Sequence, residues 1–393
     1  MRLNRDAGRV GAADFPIYEG DIRTISPRQV MSNLNMKPGH LDLLTAGPPC
    51  QTFSTTGRRR TVEDPRGTLL WRTIDYIEVF QPKAFIIENV RGLLSAALRH
   101  RPISQRPEKG GRPLDADEQP GSVIRKFLED MRERLGGLYR MDVFEVNAVN
   151  YGAAQLRERA IFVGNRLGLQ IDFPQPTHGP GGLPYTTLGE ALAKVEDPNP
   201  VIMDFSPRKK RYLALIPPGG NWRCLPNALQ RESMGKAYSA KGGRSGWWRR
   251  LSADLPCPTI VTMPNHASTA LTHPTELRAL TVRECAAVQG FPSDWEFSGT
   301  PQEQYSQVGN AVPIALGLVA GRALAASLDL GLQRDGSAEL LVPYRLVYLR
   351  SHVRTRQWFK GGAIHVWNDG AENGGSRYGE PVTHHRQREF SYA

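Results

Sequence analysis

The sequence predicts an α/β fold: a mostly parallel sheet with helices between its strands, and a smaller irregular domain inserted late in the chain. Three observations lead there. Short apolar runs alternate with helical patterns up to about residue 165. From about Arg166 to His273 the alternation stops and turn residues dominate, as in "IPPGGNW" and "SAKGGRSGWWRRL". Helical patterning then returns in "TVRECAAVQGF" and "AVPIALGLVAGRALAASL".

Taken in order, "LDLLTAG" (Leu41 to Gly47) reads as a buried strand stopped by Gly-Pro-Pro. "LLWRTIDYIEVFQP" has apolar residues at helical spacing, and Pro82 ends it. "AFIIENV" (Ala84 to Val90) is a second buried strand. Residues 99–121 are polar and rich in Pro and Gly, and read as an exposed insertion. "SVIRKFLEDMRERLGG" is an amphipathic helix with Ser122 as its N-cap and glycines at its end. "DVFEVNA" and "RAIFVGN" are two further strands with little helix between them, which suggests a hairpin. In the tail from Arg334, "YRLVYLR" and "AIHVW" are candidate short strands.

The chain has 393 residues, 40% of them apolar, enough for a sizeable core and for two or three domains. Its net charge of +11 points to an anionic partner, with nucleic acid as first candidate. The four cysteines, Cys50, Cys224, Cys257 and Cys285, form no C-x-x-C pair. That argues against a zinc site or a disulfide framework, so no metal is expected, and it fits a reducing compartment. The first residues hold no apolar signal core, and no uninterrupted apolar run reaches bilayer length, so a cytoplasmic protein without a membrane partner is expected.

The chemistry starts in "TAGPPCQTFSTTGRRR", where Cys50 sits on a stiff turn ahead of Arg58, Arg59 and Arg60. A thiol is a nucleophile only as thiolate, and positive charge nearby favours that form. Glu88 in "IIENV" falls, like Cys50, just past or at the end of an apolar strand, so both can face one crevice. A carboxyl so placed can act as an acid, although such a carboxylate alone is ordinary. In "QLRERAIFVG", Arg157 and Arg159 lie two apart, on one face of an extended segment, where they are either solvated charges or guanidiniums aimed into the crevice.

These stretches together resemble the DNA (cytosine-5) methyltransferases. "GPPCQTFSTTG" is similar to that family's catalytic Pro-Cys motif, "ENV" to its glutamate motif and "YGAAQLRERAIFVG" to its Gln-x-Arg-x-Arg motif. "HPTELRALTVRECAAVQGFP" and "QVGNAVP" resemble its last two motifs, in the right order. The resemblance runs from about Glu19 to Leu330, outside the variable middle. It implies a Rossmann-like S-adenosylmethionine-dependent methyltransferase sheet and double-stranded DNA as partner. It also implies Cys50 as the nucleophile on C6 of a flipped cytosine, Glu88 at N3 and Arg159 at O2, with Arg157 supporting the bound nucleotide. Asp21 in "EGDIR", Leu69, Asn310 and Val312 fall on cofactor positions.

One part of the pattern is missing. The family opens with a strand, a Gly-rich turn and an acid after the second strand, which hold the methionine part and ribose of the cofactor. Only eighteen residues precede Glu19, too few for two strands and a helix. A shortened gene, a misplaced start or a second polypeptide supplying the piece each accounts for this. The expected organisation is an N-terminally incomplete catalytic domain (1–165), a target-recognition domain (166–273), a return segment (274–330) and a C-terminal extension (331–393). The leading expectation is methylation of cytosine C5 in a specific DNA sequence, within restriction-modification. A catalytically impaired DNA-binding remnant is the alternative, and RNA methylation a third reading.

Overall fold

The computed structural model describes residues 1–11, 15–49, 69–179, 181–240, 244, 246–332, 345–349, 358–360 and 363–365. Cys50 and Arg58 to Arg60 lie outside the described residues. Five strands, β1 (Leu43–Ala46), β2 (Ala84–Val90), β3 (Arg140–Asn147), β4 (Glu158–Asn165) and β5 (Arg345–Leu349), form one sheet in the order β1-β2-β4-β3-β5. β1 and β2 are parallel, as are β3 and β5, while β4 is antiparallel to both β2 and β3. Four strands therefore share one direction and β4 opposes them. Both expectations hold: a mostly parallel sheet, with its third and fourth strands paired as an antiparallel hairpin.

Alternation along the strands sorts side chains to two faces. Phe85, Ile87, Val143, Ala160 and Phe162 pack against helices Leu69–Phe80 and Ser122–Arg134, through Leu70, Ile74, Ile77, Val123 and Phe127. Ala84, Phe144, Val146, Ile161 and Val163 pack against Leu316, Ala320, Ala323 and Leu324 of helix Ile314–Leu332. Covered on both faces, β3 and β4 are buried beyond their first residues, as their near-continuous apolar sequences require. Gly164 of β4 has no alternative there, since a Cβ would stand 2.1 Å from the Phe85 ring.

Several details depart from the sequence reading. β1 is half exposed rather than buried, with Leu43 38% exposed, because among the described residues only β2 pairs with it. Ser122 is not an N-cap: Gly121 takes that position with φ 82°, and the Ser122 hydroxyl donates to the Asp117 carbonyl and accepts from the Leu98 amide. Segment 99–121 is largely exposed, as its composition predicts, but it has internal structure. Short helical turns brace it, and Arg101 and Glu118 form an ion pair buried inside it. Its own charges satisfy its interior, which a reading of composition cannot foresee.

The tail strand in "YRLVYLR" is β5, and it lies against β3 in the main sheet; Trp358–Lys360 and Ala363–His365 make a separate two-stranded ladder. Helix Pro301–Asn310 was not expected, yet Thr300 and Glu303 form a capping box around a Pro at its start, a signature present in "TPQE". By length and composition Pro301–Leu328 would pass for a bilayer-crossing helix, with mean hydropathy 1.7 over an 18-residue window, but it is no uninterrupted apolar run, since Glu303 and Arg322 fall within it. It is two helices parted at Ala311–Pro313, and the second lays one face on the sheet.

Beyond the sheet lie two further cores. Phe205, Tyr212, Trp222, Met234 and Trp248 centre one, within the irregular region. Leu188, Leu251, Cys257, Ile260 and Leu271 join Val282, Cys285, Tyr305 and Val308 in the other.

Candidate active site

Glu88 and Arg159 meet at one end of the sheet. In the antiparallel register Glu88 stands opposite Ile161, and Arg159 opposite Val90, so the two side chains are diagonal neighbours on one face. Arg159 Nε lies 2.5 Å from Glu88 Oε1, with the side chains only 9% and 16% exposed. The contact is an ion pair without an aligned N–H···O bond, since Arg159 Nε makes no hydrogen bond of good geometry. Arg159 Nη1 donates to the Glu158 carbonyl, which fixes the guanidinium on the strand. The same corner holds the turn that leads to Cys50. A Cβ on Gly47 would sit 4.0 Å from Glu88 Oε2. Asn89, buried beside Glu88, donates to the Pro48 carbonyl at 3.3 Å. A carboxylate, a guanidinium and a pinned turn thus face a common space.

Arg157 has different surroundings. It is 3% exposed, and its guanidinium donates to three carbonyls, those of Ile260 (3.0 Å), Gly309 (2.8 Å) and Ala311 (2.9 Å). Its amide donates to Asn147 Oδ1 at the end of β3. The sequence placed both arginines on one face of an extended segment. Arg157 precedes β4, however, and its side chain binds backbone from two other segments. Gln155 and Gln289, both fully buried, complete this arrangement with an amide–amide bond of 2.6 Å. Sequence reasoning assigned no role to Gln289; its place in "AAVQGFP", on the inner side of helix Val282–Gln289, was the available signal.

Of the cofactor positions, Asp21 and Leu69 come together. Arg72 and Tyr76 of the helix that begins at Leu69 bond the Ile22 and Ile25 carbonyls, which pins the turn after Asp21. Asp21 is exposed, and hydrogen bonds from Arg23 hold its carboxyl down at about 2. Asn310 is exposed at the end of its helix, and Val312 packs with Ile86 against the opposite sheet face. No described contact joins these two to Asp21. An ionised, exposed carboxylate and a half-buried helix start fit the polar and apolar edges of an adenosine.

Burial pushes the Cys257 thiol up to about 12 and the Cys285 thiol well up, so neither is a nucleophile at neutral pH. The irregular region is strongly basic. Residues 201–252 hold eleven Lys and Arg against Asp204 and Glu232, nine of the chain's eleven net positive charges. Those two acids pair with Lys210 and Arg211. Arg223 and Arg244 lie over the Trp222 ring at 4.6 and 5.2 Å. In "SGWWRR", Trp248 is in the core while Trp247 is half-buried. Between this region and Leu156, beside Arg157, runs a cleft of about 210 Å³ lined by Asn221, Arg249 and Ser252 among others.

Residues 12–325 match the C-5 cytosine-specific DNA methylases, and the chain belongs to that family. The Type II methyltransferase M.Sau96I of Staphylococcus aureus is 33% identical over 80% of this chain. The chain spans 66% of that relative's length, just under two thirds. M.PspPI of a Psychrobacter strain is 35% identical over 82% of this chain and 71% of its own. The solved structure of a Spodoptera frugiperda DNMT2 mutant aligns with a TM-score of 0.48 at 14% identity, over 79% of this chain and 86% of that one.

Proposed function

We propose that this chain carries the catalytic and recognition parts of a DNA (cytosine-5) methyltransferase. It acts on C5 of a cytosine flipped out of a specific duplex sequence, as a cytoplasmic enzyme of restriction-modification. The observation that carries the reading is the Glu88–Arg159 pair beside the turn that leads to Cys50. A cytosine ring entering this corner exchanges one ion pair for two contacts, N3 at Glu88 and O2 at Arg159. C6 of a stacked base is out of reach, so the base must leave the duplex.

The Cys50 thiolate forms a bond to C6, and the electrons of the C5–C6 double bond move into the ring. Glu88 donates a proton or hydrogen bond at N3, which stabilises the charge that develops there. C5 then takes the methyl group, which S-adenosylmethionine supplies when bound. Loss of the C5 proton and expulsion of the thiolate from C6 restore the aromatic ring. Asp21, Leu69, Asn310 and Val312 would hold the cofactor, and Arg157 supports the corner through the backbone it binds.

We infer further that the outer edge of β1 takes up additional strands, from sequence upstream of this chain or from a second polypeptide. Its pairing on one side only among the described residues, and the exposure of Leu43, and of Ile314 and Leu318 on the helix after Pro313, support this. The strongly basic stretch 201–252 supports a duplex partner.

DNA containing 5-fluorocytosine tests the reading, because fluorine at C5 blocks the proton loss that frees the enzyme. With cofactor and the completing segment, the wild type should form a covalent DNA complex and Cys50→Ser should not. Equal trapping by the variant overturns the assignment.

A further inference from the structure

One buried cluster is not used by the chemistry above. It closes around Gln155 and Gln289, which are both 0% exposed. Gln289 Nε2 donates to the carbonyls of Val308 (2.7 Å) and Ala311 (3.2 Å). Its Oε1 accepts from Gln155 Nε2 at 2.6 Å. Gln155 Oε1 in turn accepts from the Ile260 amide at 3.2 Å. Arg157 closes the circuit by binding the carbonyls of Ile260, Gly309 and Ala311. The backbone of the same stretch is stitched as well: Leu156 and Cys257 exchange partners through Leu156 N to Cys257 O and Cys257 N to Ala154 O, each 2.8 Å.

Three segments meet there. Residues 155–157 run directly into β4, where Arg159 pairs with Glu88. Residues 308–312 contain Asn310 and Val312, the cofactor-side positions. Residues 257–260 are where the chain returns from the basic stretch 201–252. A primary amide suits this node because it donates and accepts at once. An apolar side chain would take one donor each from the Val308 and Ala311 carbonyls and leave Gln155 Nε2 only its longer bond to the Val288 carbonyl, and buried networks of this kind specify one arrangement when every member is satisfied.

We propose that Gln289 is a positioning residue for methyl transfer: its amide keeps the loop at Asn310 and Val312 in register with the strand that carries Arg159. The proposal rests on the methyltransferase reading above. Gln289 touches neither substrate. Its removal lets the 308–312 loop drift from the base-holding strand, so the cofactor side suffers while the DNA-binding surfaces stay intact.

Two variants test this in the full chain together with the segment that completes the sheet. Gln289→Met keeps the volume and removes the amide. Gln289→Glu keeps the shape and the acceptor for Gln155 but loses the amide donation to Val308 and Ala311. Steady-state kinetics on unmethylated plasmid DNA should show KM for S-adenosylmethionine raised about ten-fold in both, with KM for DNA within about two-fold of wild type. Hydrogen exchange on the chain without ligands should quicken at 155–160 and 308–312 together, and not in β2. Equal rises in both KM values, or exchange quickened on one flank only, overturn the proposal. A wild type that never methylates plasmid DNA overturns the underlying reading instead, and the exchange result still decides whether Gln289 joins the two segments.

Discussion

The end of the sheet and the stretch 201–252 differ in almost every physical respect. The first sets Glu88, Arg159 and Asn89 on regular strands beside the turn after β1, with Glu88 and Arg159 nearly buried and paired and Asn89 bonded to that turn. The second is short helices and turns around a Trp- and Tyr-rich core, with eleven cations against two acids. Bond making needs groups fixed to fractions of an ångström, which paired strands supply. Holding a long polyanion needs charge and an adaptable surface, which irregular structure supplies at little cost in core packing. On the proposed reading, each task falls to the architecture suited to it.

The sharpest way to break that comparison is within the sheet end, where Arg157 and Arg159 are two residues apart. Arg159→Met should lower kcat by about a hundred-fold or more, because a preorganised charge contact to the base is lost. Its melting temperature should fall too, since Glu88 loses its partner, but kcat should fall far more than the small loss of folded protein accounts for. Arg157→Met should cost mainly stability. The carbonyls of Ile260 and Gly309 lose their guanidinium donor in a 3% exposed site, costing about 2–5 kcal/mol by urea unfolding. If Arg157→Met melts like the wild type and only kcat falls, Arg157 serves the substrate and not the scaffold.

Charge in 201–252 should act on affinity instead. Arg208 and Lys236 are both exposed. Arg208→Gln with Lys236→Gln should weaken binding of a plasmid-derived duplex about ten-fold and reduce the log–log salt slope by about 1.8, with kcat at saturating DNA unchanged. An unaltered slope would place the phosphate contacts elsewhere, and a fall in kcat would show that the division of labour is false.

The same contrast explains what was legible in the sequence. β2, β4 and helix Leu69–Phe80 were readable because apolar runs and period-3.6 patterns record burial directly, and Pro82 marks the end of the helix. Glu88 and Arg159 could be suspected because each sits on such an element. Their 2.5 Å approach depends on the register of two strands 70 residues apart, which no local pattern encodes. Arg157 stayed open between a solvated charge and a guanidinium aimed into the crevice for a related reason: the carbonyls of 260, 309 and 311 that surround it come from distant sequence. The exposure of segment 99–121 was legible in its composition, but its buried ion pair was not, since Arg101 and Glu118 lie 17 residues apart in sequence. In 201–252 the core rests on scattered Trp, Tyr and Phe at no fixed period, so only its charge could be read.

The smallest expected effect lies where the stretch 201–252 meets helix Val282–Gln289, at His273. Its ring is 8% exposed and sits beside Glu284, 3.6 Å from Nε2, with Glu276, Arg278 and Arg250 around it. Burial lowers its pKa below the ordinary 6.5, partly opposed by Glu284 and Glu276, while Arg278 and Arg250 add to the lowering. Nδ1 is held as an acceptor by the amides of Thr275 and Glu276, which suits the neutral ring. The sign follows from linkage. The unfolded chain binds a proton at His273 at higher pH than the folded chain does, so stability falls as pH drops through 6.5 toward the lowered value. Asp21 and Asp115, both held down at about 2, contribute only at lower pH, where their stabilisation is lost between about pH 4 and 2. His273→Gln should therefore flatten the stability curve between pH 7 and 5 and leave its acid limb unchanged. Urea midpoints at pH 7, 6 and 5 for wild type and variant measure this. Parallel curves would show that this junction does not sense protons, and that it is held by Arg278 bonding Glu284 regardless of the state of the ring.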